Sequence, residues 1–135
     1  MSAIPPEILE ALRRAREAAY APYSGFHVAA VAVSADGRAF PGCNVETAHY
    51  KSVCAEASAI SAMVGAGQRE LDRIYILGPE GRVCPPCGDC RQRIHEFALD
   101  HTCVILVDQT GWELQRHTVD QLLPHAFGPN RPSTD

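Results

Sequence analysis

Apolar positions along this chain follow two periods, and the switches between them predict its elements. Behind Pro5 and Pro6, residues Ile8, Leu9, Leu12, Ala15 and Ala19 recur at helical spacing until Tyr20 and Pro22, which predicts an opening helix lying on a sheet by one face. Phe26 to Val33 is rich in Val and Ala, and Ser34-Ala35-Asp36-Gly37 turns it into a second apolar stretch, Ala39 to Val45, so the pair predicts a β-hairpin. Cys54 to Gly65 is dominated by Ala, with Ile60, Met63 and Val64, and is stopped by Gly65-Ala66-Gly67. That predicts a helix able to approach a sheet closely.

Ile74 to Leu77 is a short apolar run suited to a buried strand, followed by a Gly- and Pro-rich loop to Pro86. From Cys87 a further helix is expected, with Cys90, Ile94, Phe97 and Ala98 on one face. Thr102 to Val107 and Trp112 to Leu114 predict two last strands, and Val119 to Leu123 a short helix before Pro124. Strands alternating with helices predict an α/β fold: a mixed five-stranded sheet with helices on both faces, a three-layer α/β/α sandwich. One domain over residues 1–128 is expected, with residues 129–135 a flexible tail.

Composition narrows the partners. The 135 residues are 46% hydrophobic and 21% charged, as in ordinary globular domains. A formal net charge of −4 argues against a polynucleotide substrate, whose phosphates call for clustered Lys and Arg. Arg13, Arg14 and Arg16 are interleaved with Glu7, Glu10 and Glu17, which describes a solvated helix face. No apolar run is long enough for a membrane span and no secretory signal is evident, so a cytoplasmic location without membrane attachment is expected. In that reducing setting the 6 cysteines point to metal or catalysis before disulfides.

The chemistry concentrates in two segments. Cys87 and Cys90, three residues apart at the start of a helix, share one face; Cys54 opens the other Ala-rich helix, with Glu56 two residues on. Helix N-termini favour the thiolate form that a metal needs. Three protein ligands and one open position describe a catalytic zinc site, and Glu56 is placed to serve a water at that position as proton shuttle. Zinc deaminases of nucleobases carry such a ligand followed by a non-ligating Glu and a later Pro-Cys-x-x-Cys, the order found in Cys54-Ala55-Glu56 and Pro86-Cys87-Gly88-Asp89-Cys90.

Other readings stand beside this one. Cys84, Cys87 and Cys90 begin an iron-sulfur spacing, but Ile94 stands where the fourth Cys would fall. A structural zinc site could recruit Cys84 or Cys43 as a fourth thiolate and serve only to bind a partner protein or nucleic acid. Glu56 could be a first-turn carboxylate, Asn44 and Glu46 turn-forming residues, and Phe26, Tyr50 and Phe127 core or interface aromatics. No two histidines have metal-ligand spacing, although His49 beside Tyr50 could line a pocket.

Ala21-Pro22-Tyr23-Ser24-Gly25-Phe26, Asn44-Val45-Glu46, Cys54-Ala55-Glu56, Pro86 to Gln92, Leu122-Leu123-Pro124 and Phe127-Gly128 together resemble the small cytidine deaminase family from about Ala19 to Gly128. The resemblance implies a cytidine deaminase-like fold, zinc on Cys54, Cys87 and Cys90, and Glu56 as the catalytic proton shuttle. It implies deamination of cytidine or 2′-deoxycytidine, with Asn44 and Glu46 on the ribose, Phe26 against the base and the Ala55 backbone at the pyrimidine edge. A homotetramer is implied too, with Ala48, Tyr50 and Phe127 reaching a neighbouring subunit's site. Departures from the family pattern are Ala57 where Arg is common, Thr47 for Asn, Ala29 for Gly and Pro85 for Ser. Because blasticidin-type relatives also lack that Arg, deamination of a modified nucleoside is the alternative substrate reading.

Overall fold

The computed structural model describes residues 2–80 and 82–129. Within the expected tail of residues 129–135, everything after Pro129 lies outside the described residues. The elements run α1 (Pro6–Ala18), β1 (Ala29–Ser34), β2 (Ala39–Cys43), α2 (Ala55–Gly65), β3 (Leu71–Leu77), α3 (Gly88–Phe97), β4 (Ala98–Val107), β5 (Glu113–Thr118) and α4 (Val119–Leu122).

The five strands form one sheet in the order β2-β1-β3-β4-β5, with only β3 and β4 parallel. β1 reads Ala-Ala-Val-Ala-Val-Ser and is buried throughout because both of its faces are covered. Ala30 and Ala32 face one core together with Ala59, Met63, Ile94, Val104 and Val119, and so lie under α2, α3 and α4. Ala29, Val31 and Val33 face the other core with Ile8 and Leu12 of α1. The expected three layers are therefore present. The strand period of two divides the small apolar residues of β1 between them.

Several strands depart from their expected bounds for a local reason. β2 stops at Cys43 because the Asn44 side chain takes over the pairing: its oxygen accepts from the Val28 amide at 2.9 Å and its nitrogen donates to the Phe26 carbonyl at 2.7 Å. Phe26 to Val28 thus approaches the sheet without being strand. β4 starts early, at Ala98, where Leu71 pairs across a bulge and Thr102 donates to the Leu71 carbonyl at 2.5 Å. β5 continues past Leu114 through Gln115, Arg116 and His117 because an edge strand pairs on one side only and leaves polar side chains in water.

This topology positions the chemistry. β2 and β3 both run antiparallel to β1, so they share a direction although β1 lies between them. The helices that follow them, α2 and α3, therefore begin at the same edge of the sheet and on the same face. α2 sits unusually close to β2. A Cβ added at Gly42 would come within 2.4 Å of the Ala59 amide nitrogen and 2.8 Å of the Ala55 carbonyl oxygen.

Candidate metal centre and pocket

Cys54 is the N-cap of α2 and Cys87 the N-cap of α3, and neither side chain makes a capping hydrogen bond. Residues at this position usually turn a side-chain oxygen back onto the first-turn amides. Here the two sulfurs meet each other instead, 3.7 Å apart. Cys90, in the first turn of α3, is fully buried, and its sulfur joins theirs so that all three lie within 4.8 Å of one another. Zinc–sulfur bonds of about 2.3 Å in a tetrahedron place sulfurs about 3.8 Å apart, so the donor set fits zinc in type and spacing.

Taken by themselves, the electrostatics of the trio hold the sulfurs of Cys54 and Cys90 as thiols. Burial, reinforced by neighbouring Cys87, pushes the Cys54 thiol up to about 11. Burial, then the Glu56 carboxylate, raises Cys90 well above an ordinary thiol. Burial and mutual repulsion thus outweigh the helix N-termini expected to favour thiolates, and a divalent cation bound by the trio has to displace these protons.

Glu56 follows Cys54 by two residues and is only 4% exposed. Burial raises its carboxyl above the ordinary value of 4.5. It shares the wall of a pocket of about 380 Å³ with Phe26, Asn44, Glu46, Cys54, Ala55 and Cys87, which sequence reasoning had singled out. Val28, Ser52, Val53, Val83, Cys84 and Pro85 complete the lining and were not foreseen as pocket residues. Cys84 had a signal as the first thiol of the Cys84-Cys87-Cys90 run, and Pro85 as a departure from the family pattern. A larger groove of about 560 Å³ between α1, β2 and α2 holds Glu7, Glu10, Arg14, Cys43 and Ser58 but none of the three thiols.

Asn44 and Glu46 line the pocket while also building it. Glu46 accepts the amides of Tyr23 and Ser24 at 3.0 and 3.1 Å and the Ser24 hydroxyl at 2.5 Å. The Ser24 hydroxyl, then the two amides, hold its carboxyl below the usual range. Phe26 is backed by Arg82, whose guanidinium carbon lies 5.6 Å from the ring centroid. Ala48, His49, Tyr50 and Phe127 do not reach the pocket of this chain; Tyr50 and Phe127 are 88% and 90% exposed.

The four-thiolate alternative finds no support among the described residues. The one group of side chains able to hold a metal contains Cys54, Cys87 and Cys90. Cys84 stands in the pocket wall outside that group, and Cys43 opens onto the other groove. Arg91, the residue after Cys90, donates to the carbonyls of Pro86 and Leu122.

Residues 6–106 match the family model described as the cytidine and deoxycytidylate deaminase zinc-binding region. The chain belongs to this deaminase family. Among the family's members, a cytidine deaminase of Halalkalibacterium halodurans is 40% identical over 121 residues, covering 89% of this chain and 90% of the relative. A crystal structure of cytidine deaminase from Burkholderia pseudomallei superposes with a TM-score of 0.82 at 38% identity, over 92% of this chain and all of that one. A blasticidin-S deaminase of Bacillus cereus is 36% identical over 87 residues, 58% of this chain and 60% of its own. Zinc is accordingly the metal of this deaminase family that the thiol trio fits.

Proposed function

We infer that the protein is a zinc-dependent cytidine deaminase, converting cytidine or 2′-deoxycytidine and water to the uracil nucleoside and ammonia. The observation that carries this reading is the meeting of three sulfurs beside a buried carboxyl at the end of a nucleoside-sized pocket. Zinc held by Cys54, Cys87 and Cys90 supplies an acidified water. Glu56 takes one proton from that water and gives it to the ring nitrogen. It then carries the second proton, from the hydroxyl added to the ring carbon, to the departing amine, which leaves as ammonia. Its burial, which raises its affinity for a proton, suits a group that must accept and release one near neutral pH.

Phe26 lies against the base, the Ala55 backbone meets the pyrimidine edge, and Asn44 and Glu46 receive the ribose. The last two are held in place by the hydrogen bonds that build the pocket rim. The pocket brings no Lys or Arg to its lining, which suits a small uncharged nucleoside better than a polynucleotide. No described helix is long and apolar enough to cross a membrane. The 6 free thiols suit a cytoplasmic setting.

Residues 1–128 form one catalytic domain, and the working assembly is a homotetramer in which Ala48, Tyr50 and Phe127 reach a neighbouring site. Supporting this, Tyr50 is held outward at a φ of 63°, and Phe127 projects fully into solvent. The test is turnover over a panel of free nucleosides, with mass measured in solution. Cytidine turnover by a tetramer supports the reading; turnover of blasticidin S without cytidine assigns the chain to modified nucleosides, and no turnover of any nucleoside refutes it.

A further inference from the structure

The residue after the last thiol turns back over the turn that carries it. Arg91 Nε donates to the carbonyl of Pro86 at 2.8 Å, and Nη1 of the same guanidinium donates to the carbonyl of Leu122 at 3.0 Å. Pro86 precedes Cys87, and Arg91 follows Cys90, so the first bond closes a ring around Cys87-Gly88-Asp89-Cys90. The second reaches the last residue of α4, where helix carbonyls lack intrahelical partners. Beside it, Gln92 donates to the Phe127 carbonyl at 2.5 Å, so two adjacent residues seat the turn on the C-terminal segment.

The turn is also closed by the Arg91 amide, which donates to the Cys87 carbonyl at 2.9 Å, and anchored by buried Cys90, but few other bonds among the described residues hold its entry. Pro85 and Pro86 have no amide hydrogens to donate, and Cys87 makes no side-chain cap. On the opposite side of the trio, Ala57 leaves no side-chain donor after Glu56. A planar guanidinium presents several donors in a fixed fork, which a flexible ammonium does not. We propose that Arg91 is a positioning residue of the zinc centre: by bridging Pro86 to Leu122 it holds Cys87 and Cys90 where they converge with Cys54. It rests on the metal centre proposed above and acts through the backbone, without touching substrate.

The test measures zinc affinity of the full chain by competition with a chromophoric chelator, for wild type, Arg91→Gln, Arg91→Lys and Arg14→Gln. Arg14 pairs with Glu10 on the exposed face of α1 and serves as control. Partners that orient metal ligands typically contribute 10–100-fold to affinity, so Arg91→Gln should weaken zinc binding by roughly that factor. Arg91→Lys, able to satisfy one carbonyl at a time, should fall between, and Arg14→Gln should match wild type. Unfolding of the zinc-stripped proteins is measured alongside. A lowered unfolding midpoint with zinc affinity within about twofold of wild type would mark Arg91 as merely structural and overturn the proposal. If Arg91→Gln does not fold, Arg91→Lys decides by the same comparison. Wild-type protein that takes up no zinc would refute the metal centre itself, before any variant is compared.

Discussion

The sulfur of Cys54 lies 3.7 Å from the sulfur of Cys87, and each residue caps a different helix. The residues are 33 apart in sequence. They meet because β2 and β3 run in one direction and launch α2 and α3 from one edge of the sheet. The usual duty of an N-cap side chain is given up at both places, so the sulfurs are available to a shared cation. Replacing Cys54 or Cys90 with Ala should therefore abolish zinc retention, read as metal content after dialysis against a chelator. A variant that keeps one zinc per chain would show that the trio is not the site.

Glu56 separates chemistry from metal binding. Glu56→Gln preserves size and hydrogen bonding but cannot carry the proton, so cytidine turnover should fall by about 10²–10⁴ while zinc content stays at the wild-type value. Undiminished turnover would remove Glu56 from the mechanism.

Gly42 sets how near α2 comes to the sheet. The backbone of Ala55 and Ala59 fills the space a side chain would need there. Gly42→Ala should lower stability by about 1–3 kcal/mol in urea unfolding, the usual cost of overpacking. Because Ala55 lies between Cys54 and Glu56, zinc affinity should drop as well. A variant with wild-type stability would contradict the close approach.

Much of this was legible in the sequence because metal chemistry demands fixed offsets. Cys54 with Glu56, and Cys87 with Cys90, could be read as one site before any fold was known. The three layers followed from the alternation of periods. What was not legible had no period to betray it: Val83, Cys84 and Pro85 enter the pocket from an aperiodic loop, and Gln115 to His117 form an edge strand from polar residues. Asn44 and Glu46 were readable either as turn formers or as pocket residues. Their hydrogen bonds and their place in the lining make them both.

The pocket rim should carry a pH dependence through Glu46. Its pKa is depressed in the fold, first by the Ser24 hydroxyl, so its contribution is complete above the ordinary carboxylate value of 4.5 and is lost as pH falls through the folded value. Affinity for a non-reacting pyrimidine nucleoside should therefore weaken on acidification below about that point. Ser24→Ala should move the loss to higher pH. An acid limb unmoved by Ser24→Ala would separate Glu46 from the effect.

The central claim is a zinc ion with three protein ligands and one place left for water. X-ray absorption at the zinc edge of the purified protein tests it most directly. The account predicts three sulfurs at about 2.3 Å and one light oxygen or nitrogen atom at about 2.0 Å. Four sulfurs around the metal would contradict it and leave a structural site with no room for hydrolysis.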